Sequence, residues 1–247
     1  TALVTGGGRG IGRAIALGLA QEGAQVAVLD ILADNAAAVA GEIEATGVKA
    51  LALPADLTKR AQVDRAIADT LAQFGQIDIL VNNAGWDRME LFLDSEEETW
   101  DKIIAINFKG MLYVCKAALP SMVARGQGKV ISIASDAGRA GSTGEAVYAG
   151  TKGAIIAFSK TLAREMARYK ITVNVVCPGL TETPLLQGIR EQSPKTEKVI
   201  EAVTRAIPLG RVGQPEDIAG AVVYLASPAA DFVTGQTLSV SGGLTMA

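Results

Sequence analysis

A tyrosine stands four residues before a lysine in "YAGTK", residues 148–152. The chain contains no histidine, so any proton transfer it performs must use another side chain. Residues at i and i+4 share one face of a helix, which would set the Lys152 ammonium beside Tyr148. A free tyrosine has a pKa near ~10 and is a poor base at neutral pH. A neighbouring ammonium favours the phenolate, so a lowered Tyr148 pKa and proton transfer at its oxygen are expected. Ser135 closes the apolar run "KVISIAS", and its hydroxyl could hold a substrate oxygen and stabilise charge developing there. Taken singly, each residue has an ordinary alternative: an interfacial aromatic, a solvated lysine, a turn serine. Their meaning depends on the scaffold that gathers them.

Short apolar runs alternate with longer amphipathic segments. "TALVTG", "AQVAVLD", "VKALALPAD", "IDILVNNAG", "GKVISIAS", "ITVNVVCPG" and "TGQTLSVSGG" read as strands. Helical patterns separate them, including one long helix from about Glu96 through "WDKIIAINFKGMLYVCKAALPSMVA" and another over "AVYAGTKGAIIAFSKTLAREMARY". Apolar strands in strict alternation with helices predict a parallel sheet covered on both faces. The fold expected is one α/β domain over residues 1–247, a Rossmann-type doubly wound sheet of about seven strands. Residues 181–208 are the least regular part and read as a movable substrate lid.

"TGGGRGIG", residues 5–12, follows the first strand and opens the first helix. Gly6, Gly10 and Gly12 allow a tight turn and a close backbone approach to a pyrophosphate. The helix N-terminus, at Arg9, Gly10 and Ile11, supplies free N–H groups and a positive dipole end. The G-x-x-x-G-x-G spacing departs from G-x-G-x-x-G. Asp30 ends the second strand, where a carboxylate can hydrogen-bond the adenosine ribose and repel a 2′-phosphate, favouring NAD over NADP. Arg9 argues the other way, but a carboxylate facing a phosphate dianion costs more than an exposed arginine returns.

Bulk properties narrow the field. Net charge is −3 with no run of basic residues, so no nucleic-acid partner is expected. The apolar stretches, such as "AGAVVYLA", are too short to span a bilayer, and no signal peptide is visible. An initiator Met is expected to precede Thr1. Cys115 and Cys177 lie in apolar surroundings and read as buried thiols of a cytoplasmic protein. No metal site is expected, because the chain lacks histidine and clustered cysteines.

Taken together, "TGGGRGIG", "NNAG" (82–85), Ser135, "YAGTK" and "PGLTET" (178–183) resemble the short-chain dehydrogenase/reductase family, in its order and along the whole chain. The resemblance implies a nicotinamide cofactor, hydride exchange between an alcohol and a carbonyl, and a homotetramer pairing the two long helices. It assigns adenine to Asp56 and Leu57, and the adenosine ribose side to Asn83, Ala84 and Gly85. Asn107 becomes a member of the proton relay, holding a water between Lys152 and solvent. Lys152 also holds the nicotinamide ribose beside Tyr148. Pro178, Gly179, Thr181 and Thr183 flank the nicotinamide. Within the family, "NNAGWD", "IASDAGRAGSTGEAVYA", "TLAREMAR" and "SVSGGLTM" resemble the dehydrogenases of 2-hydroxycyclohexanecarboxyl-CoA. The expected reaction is NAD-dependent oxidation of a secondary alcohol on a small-molecule substrate, a CoA thioester. In that reading Trp86 and Met89 wall an apolar pocket, Leu185 and Leu186 close it, and Arg190, Lys195, Lys198 and Arg205 meet CoA phosphates. The competing expectations are an NADPH-dependent 3-oxoacyl-(acyl-carrier-protein) reductase and a cofactor-binding sensor without catalysis.

Overall fold

The computed structural model describes residues 1–192 and 194–246, the side chains of 194 and 195 excepted. Among the described residues seven strands form one sheet: β1 (Ala2–Thr5), β2 (Val26–Asp30), β3 (Ala50–Pro54), β4 (Ile79–Asn82), β5 (Gly128–Ile133), β6 (Ile171–Pro178) and β7 (Thr237–Val240). Their order is β3-β2-β1-β4-β5-β6-β7, and every pairing is parallel. The strands of the sheet centre carry almost no polar residues because both faces are covered: β1 and β2 are buried throughout.

The helices are α1 (Gly10–Gln21), α2 (Ala33–Glu44), α3 (Arg60–Phe74), α4 (Glu97–Ile104), α5 (Gly110–Arg125), α6 (Ala137–Ala140), α7 (Ala146–Met166), α8 (Pro184–Arg190), α9 (Pro194–Ala206) and α10 (Pro215–Ala226). On one face of the sheet Met111, Val114, Ile155 and Leu162 pack with Leu3, Leu80 and Val130. On the other, Ile15, Val39, Ile218 and Val222 pack with Val4, Val28, Val81 and Ile131. Strand order, not chain direction, reverses between β1 and β4, the switch point at which α/β sheets leave an open crevice beyond their strand ends.

Two expectations change. The long helix after Glu96 is not continuous: a π-helical turn, Ala105–Lys109, separates α4 from α5 and carries Asn107. Such wide turns often sit at functional sites. By length and composition the run Glu97–Arg125 could cross a membrane, yet it sinks Met111, Val114, Cys115, Ala118 and Met122 into the core. The segment 181–208 is mostly helical rather than irregular, formed by α8 and α9; position 193 lies outside the described residues. Leu186, Ile189 and Ile200 form its own small core, with Met89 and Leu185 against it.

Leu80 lies at the middle of β4 with no exposed surface. Leu80→Ala should destabilise the protein by about 2–5 kcal/mol, the transfer term plus a cavity. A urea melt checks this; a shift below ~1 kcal/mol would show that the central strand is less tightly packed than its burial implies.

Candidate active site

Beyond the carboxyl ends of β1 and β4 the chain builds a glycine cradle. Gly6 and Gly10 have φ of 59° and 53°, the left-handed region that glycine tolerates. A Cβ on Gly12 would lie 2.0 Å from the Gly6 carbonyl oxygen and 2.5 Å from Asn83 Nδ2. A Cβ on Gly6 would lie 2.8 Å from Ala84 Cα. Asn83 braces the turn by donating from Nδ2 to the carbonyls of Thr5 and Gly6, both at 3.0 Å. Thr5 Oγ1 accepts the amides of Asn83 and Ala84. The first turn of α1 has no side-chain cap at Arg9, so its N–H groups face outward as an anion cradle.

Asp30 is buried at the end of β2. Its Oδ2 accepts the Gly8 amide at 2.9 Å and its Oδ1 the Leu32 amide at 3.0 Å. The carboxylate is therefore fixed against the glycine turn, with lone pairs left for a ribose. Arg9 is exposed on the other side of the turn. These residues fit a dinucleotide. Asp56 Oδ1 accepts from the Thr58 amide and hydroxyl, and the Leu57 side chain belongs to the core. An adenine contact from Leu57 would therefore come from its backbone. Gly179 packs on Ser241, where a Cβ would come within 2.6 Å. Pro178 ends β6. Thr181 Oγ1 donates to the Gly179 carbonyl, and Thr183 caps α8 by accepting the Leu186 amide at 3.1 Å. Thr183 also faces Gly10: a Cβ there would sit 3.5 Å from Thr183 Cβ. The lid begins against the cradle.

The residues expected to handle the proton lie beyond the same end of the sheet. Lys152 is 3% exposed, and its Nζ donates to the Ile133 carbonyl at 3.0 Å. The same Nζ lies 5.4 Å from the Tyr148 ring centre. Burial brings the Lys152 ammonium down to about 8, with Cys177 and Asp87 acting in the opposite sense. Tyr148 differs from expectation. Burial, then the Glu145 and Asp87 charges, push its phenol well above the ordinary tyrosine range, and the Ser135 hydrogen bond offsets only part of this. These effects favour the neutral phenol, a proton donor rather than a ready base. Ser135 Oγ also accepts the Ala137 amide at 3.1 Å, which fixes the hydroxyl beyond β5.

Asn107 is 1% exposed, and both ends of its amide close on one residue. Oδ1 accepts the Trp86 amide at 2.7 Å, and Nδ2 donates to the Trp86 carbonyl at 2.9 Å. The side chain thus aims the loop after β4. Between Asn107 and Lys152 lies the space over Gly85, where a Cβ would sit 3.4 Å from Asn107 Oδ1 and 3.5 Å from Lys152 Nζ.

Other expectations are corrected. The Trp86 ring is covered by Lys102, whose Nζ lies 3.9 Å from the ring centre; it is a cation–π partner rather than a bare pocket wall. Met89 does pack with Leu185 and Leu186. Arg190 is spent within the lid on Glu182 at 2.9 Å, and Arg205 approaches Glu201 at 3.9 Å. Lys198 is exposed, and the Lys195 side chain lies outside those described.

Sequence reasoning also missed a carboxyl pair. A cavity opening next to Tyr148 is lined by Asp87, Glu90, Phe92, Trp100 and Glu145. Asp87 is 4% exposed, and neither of its oxygens makes a well-formed hydrogen bond among the described residues, although the Glu145 carboxyl and the Arg88 amide are near enough to act on it. Burial, then Glu145, push its carboxyl up to about 8, against smaller opposing effects of the Arg88 amide and Lys152. Nothing in "NNAGWD" alone places this acid beside a glutamate 58 residues later.

The family profile described as enoyl-(acyl carrier protein) reductase matches residues 6–245. A 3-oxoacyl-(acyl-carrier-protein) reductase of Staphylococcus aureus is 40% identical over 247 residues, covering 100% of this chain and 98% of the relative. A sorbitol dehydrogenase of Cereibacter sphaeroides is 40% identical over 250 residues, covering 98% and 96%. The crystal structure of a 3-ketoacyl-(acyl-carrier-protein) reductase from Brucella melitensis, complexed with NADH, superposes with a TM-score of 0.90 at 36% identity, covering 99% of this chain and 98% of that one.

Two outcomes follow from this geometry. Gly12→Ala should weaken nucleotide binding by at least about tenfold, because the backbone overlap cannot be relieved without moving the cradle. Calorimetric titration with NADH checks it; unchanged affinity would place the nucleotide elsewhere. Asp87→Asn should stabilise the protein in a pH-dependent way. The folded carboxyl holds its proton up to about 8, whereas the unfolded one ionises near ~4. Its contribution to stability is therefore lost as pH rises through that window and stays low above it. The melting temperature of the variant relative to wild type should rise between pH 5 and pH 8.5, by about 2–4 °C for each kcal/mol of stability that wild type loses. A constant difference would mean Asp87 is ionised in the fold.

Proposed function

The chain belongs to the short-chain dehydrogenase/reductase family, and from that premise we propose that it interconverts a ketone and a secondary alcohol with NAD(H), acting on a 3-oxoacyl thioester in the reductive direction. The observation that carries the reading is the phenol of Tyr148. It is held protonated by burial, hydrogen-bonded to Ser135 and set beside the Lys152 ammonium. A nicotinamide cofactor, when bound, supplies or accepts the hydride.

This chain's residues do the rest. Ser135 and Tyr148 hydrogen-bond the reacting oxygen, and Tyr148 releases its proton to that oxygen as charge develops. The Lys152 ammonium, anchored on Ile133, stabilises the phenolate left behind. Asn107 keeps the facing loop in place. The buried Asp30 supports NAD(H) over NADP(H). The thioester class rests on the two carrier-protein reductases. The narrower ring acyl-CoA is supported only by sequence motifs, and the salt-bridged Arg190 weakens the lid as a CoA phosphate site. The acid-lined cavity and the sorbitol dehydrogenase relative favour a second reading, oxidation of a small polyol.

Initial rates with acetoacetyl-CoA, a cyclic 3-oxoacyl-CoA and sorbitol, each with both nicotinamide cofactors, separate these readings. NADH-linked reduction of the thioesters is the expected outcome; NADPH preference would overturn the Asp30 argument, and turnover of sorbitol alone would overturn the thioester. Tyr148→Phe should lower kcat about 10²–10⁴-fold, and a near-normal rate would remove Tyr148 from the chemistry. Ketone reduction should also decline above about pH 8 as Lys152 loses its proton; a flat profile to pH 10 would show that this ammonium is not needed.

A further inference from the structure

The cavity beside Tyr148 contains an acid pair to which the proton chemistry above gives no task. Asp87 reaches it from the loop after β4, and Glu145 from the cap position of α7. The remaining charged groups lining it are Glu90 and Arg88, which pair with each other at 3.3 Å. Tyr148 lines it from α7, and the Lys152 charge acts on Asp87 from the same helix. No group of three or more Asp, Glu, His or Cys among the described residues is placed to hold a metal ion.

The backbone leading into Asp87 is fixed. Its neighbour Trp86 is held by backbone at both amide and carbonyl through Asn107. A carboxylate so buried with no donor is costly, and a second carboxylate beside it costs more. One proton shared by the two relieves both. Asp87 is buried and Glu145, at the start of the 21-residue α7, only partly so, so the shared proton belongs on the deeper Asp87.

We infer that Asp87 and Glu145 form a single-proton carboxyl pair that reads the group next to the reacting ketone. The pair accepts an uncharged thioester or ester carbonyl, to which Asp87 donates, and rejects the corresponding free carboxylate. This rests on the ketone-reducing role proposed above. The pair carries one net negative charge in a buried setting. A substrate carboxylate would add a second and would compete with Glu145 for the same proton. A neutral carbonyl adds none and can accept the proton that Asp87 otherwise shares with Glu145.

The first test needs no turnover. Infrared difference spectroscopy of the full-length protein at pH 7 should show a protonated carboxyl band that is lost in Asp87→Asn. Absence of that band from wild type overturns the pair. The second test compares kcat/KM for ethyl 3-oxohexanoate and for 3-oxohexanoate with NADH. Wild type should prefer the ester. In the double variant Asp87→Asn, Glu145→Gln the preference should shrink on the order of tenfold or more. An unchanged ratio overturns the proposed reading of charge, whatever the absolute rates. A wild type that turns over cyclic ketones but no 3-oxo ester would sink the thioester assignment alone. The same ratio, taken on a cyclic ketone with and without a carboxylate, then decides the pair.

Discussion

The Lys152 ammonium donates to the Ile133 carbonyl at 3.0 Å from a position 3% exposed, and the register of α7 against β5 follows from that bond. A buried ammonium without an acceptor would be costly, so the last carbonyl of the strand and the second turn of the helix must meet. Once they do, Tyr148 lies one turn earlier on the same helix face, and Ser135 lies two residues beyond the same strand. Three reacting groups are thus placed by one contact between two rigid elements. The large apolar face that α7 shares with α5 and β5 holds the two together, so the site draws its precision from the core.

A second constraint is the polarity of the surroundings. Tyr148 is flanked by acids, and their charges add to burial in opposing the phenolate. An enzyme built mainly to extract an alcohol proton would gain from the reverse arrangement. The pair Asp87 and Glu145 limits the conflict by holding a proton: a neutral Asp87 places less negative charge near the phenol than an ionised one. The acids then serve recognition at a modest electrostatic cost to the tyrosine.

Much of this was legible from sequence, for physical reasons. All seven strands were readable, the inner ones because parallel strands buried on both faces are continuous apolar runs, and the edge strand β7 from its alternation of polar and apolar residues. The glycine cradle was readable because a close backbone approach admits no Cβ, and Gly12 shows the tightest such approach of the three. Tyr148 and Lys152 were readable because helical periodicity puts them on one face. The direction of the Tyr148 shift was not, since it depends on how deeply the phenol is buried and on acids brought in from elsewhere. The π-helical turn at Asn107 was equally hidden: its local pattern is helical, and the extra residue is paid back only by the amide's two bonds to Trp86. Trp86 itself was assigned to a pocket wall, and only the fold reveals Lys102 over its ring.

The lid illustrates how charge counts mislead when geometry is absent. Arg190 looks available for a phosphate in the sequence. In the fold it makes two bonds of 2.9 Å to the Glu182 carboxylate, a contact that joins α8 to the turn preceding it. Drawing Arg190 toward a ligand would break that tie and leave Glu182 to be resolvated, so a phosphate must return more than it disrupts. Thr183, which caps α8, also touches the Gly10 turn. The lid is therefore linked to the nucleotide cradle by its cap and closed on itself by Arg190. On its apolar side the buried Leu186 packs with Leu185 and with Met89, which belongs to the loop that carries Asp87. In the proposed reading, substrate choice thus falls to one loop and one short helix, both positioned by contacts outside the proposed proton path.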